Sequence, residues 1–305
     1  MIDYHRGLLF DDLRMSGYRE AIGRAVRPGD VVIDLGCGSG VLSLFACEAG
    51  ARKVYAIEHT HMADVARVLV RRAGLEDRIE IVHDLSTLID LPERADVLVT
   101  ETIGSFAFDE QILSAVLDAR ARLLAPGARV LPRRLTLSAA AAELPADYQH
   151  IVASWSERRY GIDFSPLRVF EANALHHVHA GDETRLSEGA GVIDADLETV
   201  ESETLQGGAT LVARRDGIVH GFVVWFTATL TDGVTLTSRE ERGTHWSQGF
   251  LPLESPVVVT RGTEIDLELD TNDGRLWRWQ GRVGGASFDQ TSGFSMPPCS
   301  LTRRN

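Results

Sequence analysis

Cysteine is scarce in this 305-residue chain, with only Cys37, Cys47 and Cys299. No pair has CxxC spacing, so neither a disulfide framework nor a zinc site is expected. Positive charge is also short. Lysine and arginine number 31 against 44 acidic residues, a formal charge of −13, which argues against a general nucleic-acid or anionic-membrane surface but not against a cationic substrate. No apolar run approaches the roughly 18 to 20 residues of a membrane span, and the amino end, MIDYHRGLLFDD, lacks the charged-then-apolar order of a signal peptide. A cytoplasmic location, with neither membrane nor nucleic acid as partner, is the resulting expectation. Internal repeats and low-complexity tracts are absent too. The length allows one large domain or two of moderate size.

What is present changes character near the middle. Leu9, Leu13, Ile22 and Val26 space an amphipathic helix over 6–26, stopped by Arg27-Pro28-Gly29-Asp30. Val31 to Leu35 reads as a buried strand running into Gly36-Cys37-Gly38-Ser39-Gly40, and a helix over 41–49 closes at Gly50. Further strands are read at 53–58, 79–82 and 96–100, with helices at 61–73 and from an Asp109 N-cap, Glu110 in its first turn, through Leu124. This alternation predicts a parallel sheet with helices on its faces. Beyond Pro132 the helical periods fade, apart from a last helix over 148–160 with Trp155 turned inward. From Gly208 onward the pattern is strands at 209–214, 218–230, 234–238, 263–269 and 276–279 with Asp-Gly turns between them. The spacing places a boundary near 131 and an antiparallel barrel or sandwich after it. Trp277 and Trp279 share a strand face and read as its packing.

Two stretches carry chemistry. Gly36, Gly38 and Gly40 have GxGxG spacing, whereas a dinucleotide fingerprint needs its third glycine where Val41 stands. Asp34, just before the loop, can receive an amino group. Glu58 lies 20 residues past Gly38 at the end of the next strand, where a carboxylate accepts from both ribose hydroxyls. A structural turn is the plainer alternative; taken together, these residues suit an adenosyl ligand without a pyrophosphate, S-adenosylmethionine. The second stretch, Thr100 to Glu110 (TETIGSFAFDE), leaves the 96–100 strand at its carboxyl end, where open α/β sheets bind ligands. Two acids around an apolar turn form a clamp for a cation, or an ordinary polar loop and helix cap. The residues alone leave both open.

VIDLGCGSG followed by VYAIE resembles the cofactor signature of class I methyltransferases, and TETIGSFAFDE resembles the two-glutamate hairpin of the protein arginine methyltransferases. Thr244-His245-Trp246 is similar to that family's Thr-His-Trp loop, and HRGLLFDDLRMSGYREAI, LLAPGARVLPRRLTL and WSERRYGIDFS extend the likeness over nearly the whole chain. The resemblance implies an α/β fold: a Rossmann-like, S-adenosylmethionine-binding domain at 1–131 and an antiparallel β-barrel substrate domain at 132–305. It also implies a dimerisation arm at about 165–200, and so a homodimer. The implied reaction is N-methylation of an arginine guanidinium in a protein or peptide. Guanidinium chemistry accords with it. The group stays protonated, with a pKa above about 12, so its nitrogens are poor nucleophiles. Two carboxylates, Glu101 and Glu110, can hold the planar fork, offset developing charge and bias electron density toward one nitrogen.

By the same resemblance, His245 pairs with Asp11 as a proton relay or a structural link. Arg14 takes the methionine carboxylate with His5 nearby, Gly36 and Gly38 approach by backbone, and Glu58 holds the ribose. Without the resemblance, Arg14 reads as a helix arginine paired with Asp11 or Asp12. The adenine end falls on Ser86 and Thr87, where the family has an acid; Asp84 is a nearby substitute. Other departures are the absence of a lid helix, which Met1 to Tyr4 cannot supply, small residues at Thr102, Ser105 and Ala107, and Leu8 where the family limits methyl addition. Mono- versus dimethylation stays open. His176, His177 and His179 read as a solvated arm, and no metal is expected. Two further readings are methylation of free L-arginine or an arginine-containing metabolite, and a non-catalytic dimeric binding module; intact Glu101, Glu110 and His245 argue against the latter.

Overall fold

The computed structural model describes residues 2–239 and 244–294; Cys299 lies outside them. Helices α1 (Ile2–Leu9) and α2 (Asp12–Ala25) replace the single expected helix. The break has a local cause: Asp11 leaves helical geometry and its carboxylate caps α2 by accepting from the Arg14 amide at 2.9 Å. Then follow β1 (Val31–Leu35), α3 (Val41–Glu48), β2 (Lys53–Ile57), α4 (Met62–Arg72), β3 (Ile79–Val82), β4 (Ala95–Thr100), α5 (Ile112–Arg122) and β5 (Leu124–Leu131). The five strands form one parallel sheet in the order β3-β2-β1-β4-β5. Strand order reverses between β1 and β4, whose last residues, Leu35 and Thr100, are in register. The crevice at such a switch point is where doubly wound sheets bind ligands. Both chemistry-bearing loops leave from it.

The chain then turns directly into β6 (Arg134–Ala142), the start of the antiparallel part. Its strands are β9 (His176–Val178), β10 (Ala190–Asp196), β11 (Thr204–Val212), β12 (Gly217–Thr231), β13 (Val234–Thr237), β14 (Gln248–Val259), β15 (Glu264–Asn272), β16 (Leu276–Val283) and β17 (Ala286–Thr291). One sheet runs β10-β6-β12-β14-β9 with β13 on β12; the other runs β11-β15-β16-β17. Strict alternation along β15 buries Ile265, Leu267 and Leu269, which pack in the interior with Trp277 and Trp279. A continuous apolar core joins these residues to those under the parallel sheet.

Between β6 and β9 the chain leaves the sheets: α6 (Pro145–Ile151), the small hairpin β7 (Arg158–Arg159) and β8 (Ile162–Asp163), and α7 (Arg168–Ala172). The expected 148–160 helix is therefore short, and Trp155 is half-buried rather than in the core. The arm reading at 165–200 also requires correction. His176–Val178 and Ala190–Asp196 are strands paired to β14 and β6, so that stretch is tied into the sheet at two places and is not a free-standing arm. The excursion that stands outside the sheets is 145–172.

Candidate active site

A cavity of about 580 Å³ opens at the β1/β4 switch point. Its floor is the glycine loop. Gly36, Gly38 and Gly40 all have positive φ (73°, 52° and 79°), a backbone that side chains disfavour; a Cβ on Gly36 would stand 2.9 Å from Thr102 Cγ2, and one on Gly38 3.3 Å from His5 Cε1. Glu58 lines one wall and accepts from the amides of Gly38 at 2.9 Å and Thr60 at 2.8 Å. Burial opposes its charge, but these amides outweigh burial and its pKa lies below the ordinary carboxylate value. Each oxygen keeps a lone pair for further donors. Asp84, Ser86 and Thr87 line the far end, and His5, Leu8 and Leu9 of α1 form a side wall.

Asp34 is the exception among the residues expected at the cofactor. It does not line the cavity; it is buried beneath the glycine loop and accepts from Ser43 Oγ at 2.6 Å. Burial pushes its carboxyl up to about 6. An inward-facing position on a central strand explains the miss, because sequence gives the residue's place in the strand and not the face it takes.

Glu101 and Glu110 both reach the cavity. The side chain of Glu101 is only 7% exposed, and its Oε2 is held by Arg14 Nη2, while Arg14 Nη1 donates to Leu8 O at 3.0 Å. Desolvation, opposed by Arg14 and assisted by the charges of Glu110 and Asp11, pushes Glu101 up to about 7. Glu110 faces the cavity space, and desolvation together with Asp109 raises its pKa as well. Beneath them Asp11 accepts from His245 twice, from the backbone amide and from Nδ1, each at 2.9 Å. A carboxylate has no proton to give, so Nδ1 carries the hydrogen and Nε2 is the basic atom of the neutral ring. Desolvation lowers the pKa of His245 despite Asp11, which favours that neutral form.

The hairpin is fixed from both halves of the chain. Trp246 Nε1 donates to Ile103 O at 2.9 Å, and Ser105 and Ser247 hydroxyls lie 3.2 Å apart. Asp109 is not the cap of α5; it closes a turn by accepting from the Phe106 amide at 3.0 Å, and the helix begins two residues past Glu110. The Arg14–Glu101 pair and these long-range ties carried no signal in the sequence.

A parallel sheet with a glycine cradle, a ribose-ready carboxylate and no pyrophosphate loop defines a class I methyltransferase fold. Comparison with known proteins narrows it. Residues 134–283 match the arginine methyltransferase oligomerization subdomain, and 19–129 match the ribosomal protein L11 methyltransferase model. Protein arginine N-methyltransferase 6 of Danio rerio is 34% identical over 88% of this chain and 81% of its own length. Protein arginine N-methyltransferase 1 of Schizosaccharomyces pombe is 33% identical over 86% and 79%. Among solved structures, the Trypanosoma brucei PRMT1 enzyme-prozyme heterotetrameric complex with AdoHcy superposes with a TM-score of 0.86 at 28% identity, covering 95% of this chain and 98% of that one. The chain belongs to the protein arginine N-methyltransferase family.

Proposed function

We propose that the protein transfers a methyl group from S-adenosylmethionine to an arginine guanidinium of a protein or peptide. The observation that carries this reading is the convergence of Glu101 and Glu110 on the cavity that the glycine loop and Glu58 line. The cradle and the free lone pairs of Glu58 fit an adenosyl group, and the donor supplies an electrophilic sulfonium methyl. Arg14 holds Oε2 of Glu101, which leaves Oε1 for an incoming guanidinium, with Glu110 as the second jaw. The clamp offsets the charge of the protonated substrate and fixes one nitrogen toward the methyl, so that acceleration comes from alignment and electrostatics. In this reading Arg14 also faces the donor's carboxylate, Ser86 and Thr87 its adenine, and the Asp11–His245 pair receives the proton through Nε2.

The test uses labelled S-adenosylmethionine with Arg-Gly-rich peptides in one arm and free arginine in the other. Label in the peptides is expected; label in free arginine alone moves the substrate to a metabolite, and label in neither defeats the reading. Glu101→Gln is expected to lower kcat by about a hundredfold or more with cofactor affinity nearly unchanged, measured by calorimetry with S-adenosylhomocysteine. An equal loss of cofactor binding would remove Glu101 from the clamp.

In this reading the part before the 131/132 boundary holds the donor and supplies both jaws of the clamp, and the antiparallel part after it adds His245 and the frame of the hairpin. We also propose a homodimer. Its support is the match to an oligomerization subdomain and the apolar surface of the 145–172 excursion, where Tyr160 is 94%, Ile162 56% and Phe170 38% exposed. A cytoplasmic setting is proposed from the thiols Cys37 and Cys47, both buried and unpaired; fractionation of cells carrying the tagged protein tests it.

A further inference from the structure

Among the described residues, three of the four non-glycine positions with left-handed backbone meet at one junction. They are Ala107 (φ 66°) and Gln111 (φ 63°) in the carboxylate hairpin and Asp273 (φ 47°) in the β15–β16 turn. At Ala107 and Gln111 that conformation depends on the surroundings, whereas Asp273-Gly274 is a hairpin turn in which Asp takes it readily. The turn supplies those surroundings. Asp273 is fully buried, and its carboxylate accepts from the amides of Leu113 at 3.0 Å and Ser114 at 3.3 Å, two of the donors that the first turn of α5 leaves without intrahelical partners. No hairpin residue does this: Gln111 stands at the cap position without a side-chain cap bond, and Asp109 is committed to Phe106. Gly274 lies so close that a Cβ there would stand 2.2 Å from Phe108 O. Arg275 Nε donates to Gln111 Oε1 at 3.1 Å, completing the contact.

Glu110 makes no side-chain hydrogen bond of its own among the described residues, so the backbone on either side of it decides where its carboxylate stands. We infer that Asp273 is a positioning residue for methyl transfer: by fastening the first turn of α5 to the antiparallel half, it sets the second jaw of the clamp. The inference rests on the guanidinium-clamp reading above. It gives Asp273, far from the cofactor in sequence and absent from the cavity lining, a part in the arginine step; Arg275 of the same turn lines the cavity.

Asp273→Ala and Asp273→Asn separate this role from a merely structural one. Asparagine keeps one oxygen for the Leu113 amide and fits the same backbone, so it carries the test if the alanine variant does not fold. Three quantities are measured: hydrogen exchange of the amides over 105–114, kcat on an arginine peptide per S-adenosylhomocysteine-binding site, and the affinity for S-adenosylhomocysteine. Normalising to binding sites removes any unfolded fraction from the count. Faster exchange is expected, with kcat falling about tenfold to a hundredfold in the alanine variant, as misplacement of a reacting group by about 1 Å produces. Cofactor affinity is expected within about twofold of the parent, and the asparagine variant between the two. Unchanged exchange overturns the inference, and so does a loosened hairpin with kcat within about twofold of the parent. A parent with no transferase activity defeats the clamp reading instead, and the exchange result then judges the fastening alone.

Discussion

Glu101 is a carboxyl group whose buried setting pulls against its task. Desolvation pushes it up to about 7 even with Arg14 alongside, yet the clamp needs the charged form. Since kcat/KM reports the free enzyme's ionisations, it is expected to rise as pH climbs through about 7 and then level off, with neutral His245 favoured in the same direction. A profile flat between about pH 6 and 8.5 would separate Glu101 from the rate. Asp34 gives a stability counterpart. Its folded value of about 6 exceeds the reference value of 3.8, so the folded state binds the proton more tightly. The contribution is present below about 3.8 and is lost as pH rises through about 6. Asp34→Asn removes that loss and is expected to stabilise the ligand-free protein by about 2 to 4 kcal/mol near pH 8 relative to its effect near pH 4. Urea melts at both pH values check this, and an equal effect at both would refute it. At this scale the sequence was informative about which side chains matter, since Glu58, Glu101 and Glu110 are all found at the cavity. It said nothing of which face Asp34 takes.

At the scale of elements, local signals were legible and distant ones were not. Strand alternation in β15 and glycine punctuation after β1 could be read because each is decided by near neighbours. Asp109 has the residue type of a helix cap; the helix is instead capped by Asp273, 160 residues from Leu113, and no local rule reaches that far. Likewise, 165–200 looked irregular because its strands are short and find their partners on β6 and β14. The excursion at 145–172, with Tyr160 at a hairpin tip in left-handed geometry, is the element on which the proposed dimer rests. If the proposed dimer forms through it, the parent sediments as a dimer, and Tyr160→Ser with Ile162→Asp is expected to give a monomer in sedimentation velocity without lowering the melting temperature. A dimer that persists places the contact elsewhere.

Across the whole molecule, charge and substrate are complementary. A formal charge of −13 attracts cationic peptides over a range that salt shortens, to a Debye length of about 3 Å at 1 M from about 10 Å at 0.1 M. KM for a peptide with several arginines is therefore expected to rise with ionic strength more steeply than for one with a single arginine. Parallel dependences would confine recognition to the clamp. The ties between the halves, Trp246 to Ile103 and Asp273 to Leu113, bear on how such a chain can be recombined. A donor-binding half grafted onto a foreign partner would keep its grip on nucleoside but lose the frame of its own catalytic hairpin. The unit that would have to be moved intact is thus the seam: a substitution on one side of it changes what the residues on the other side meet.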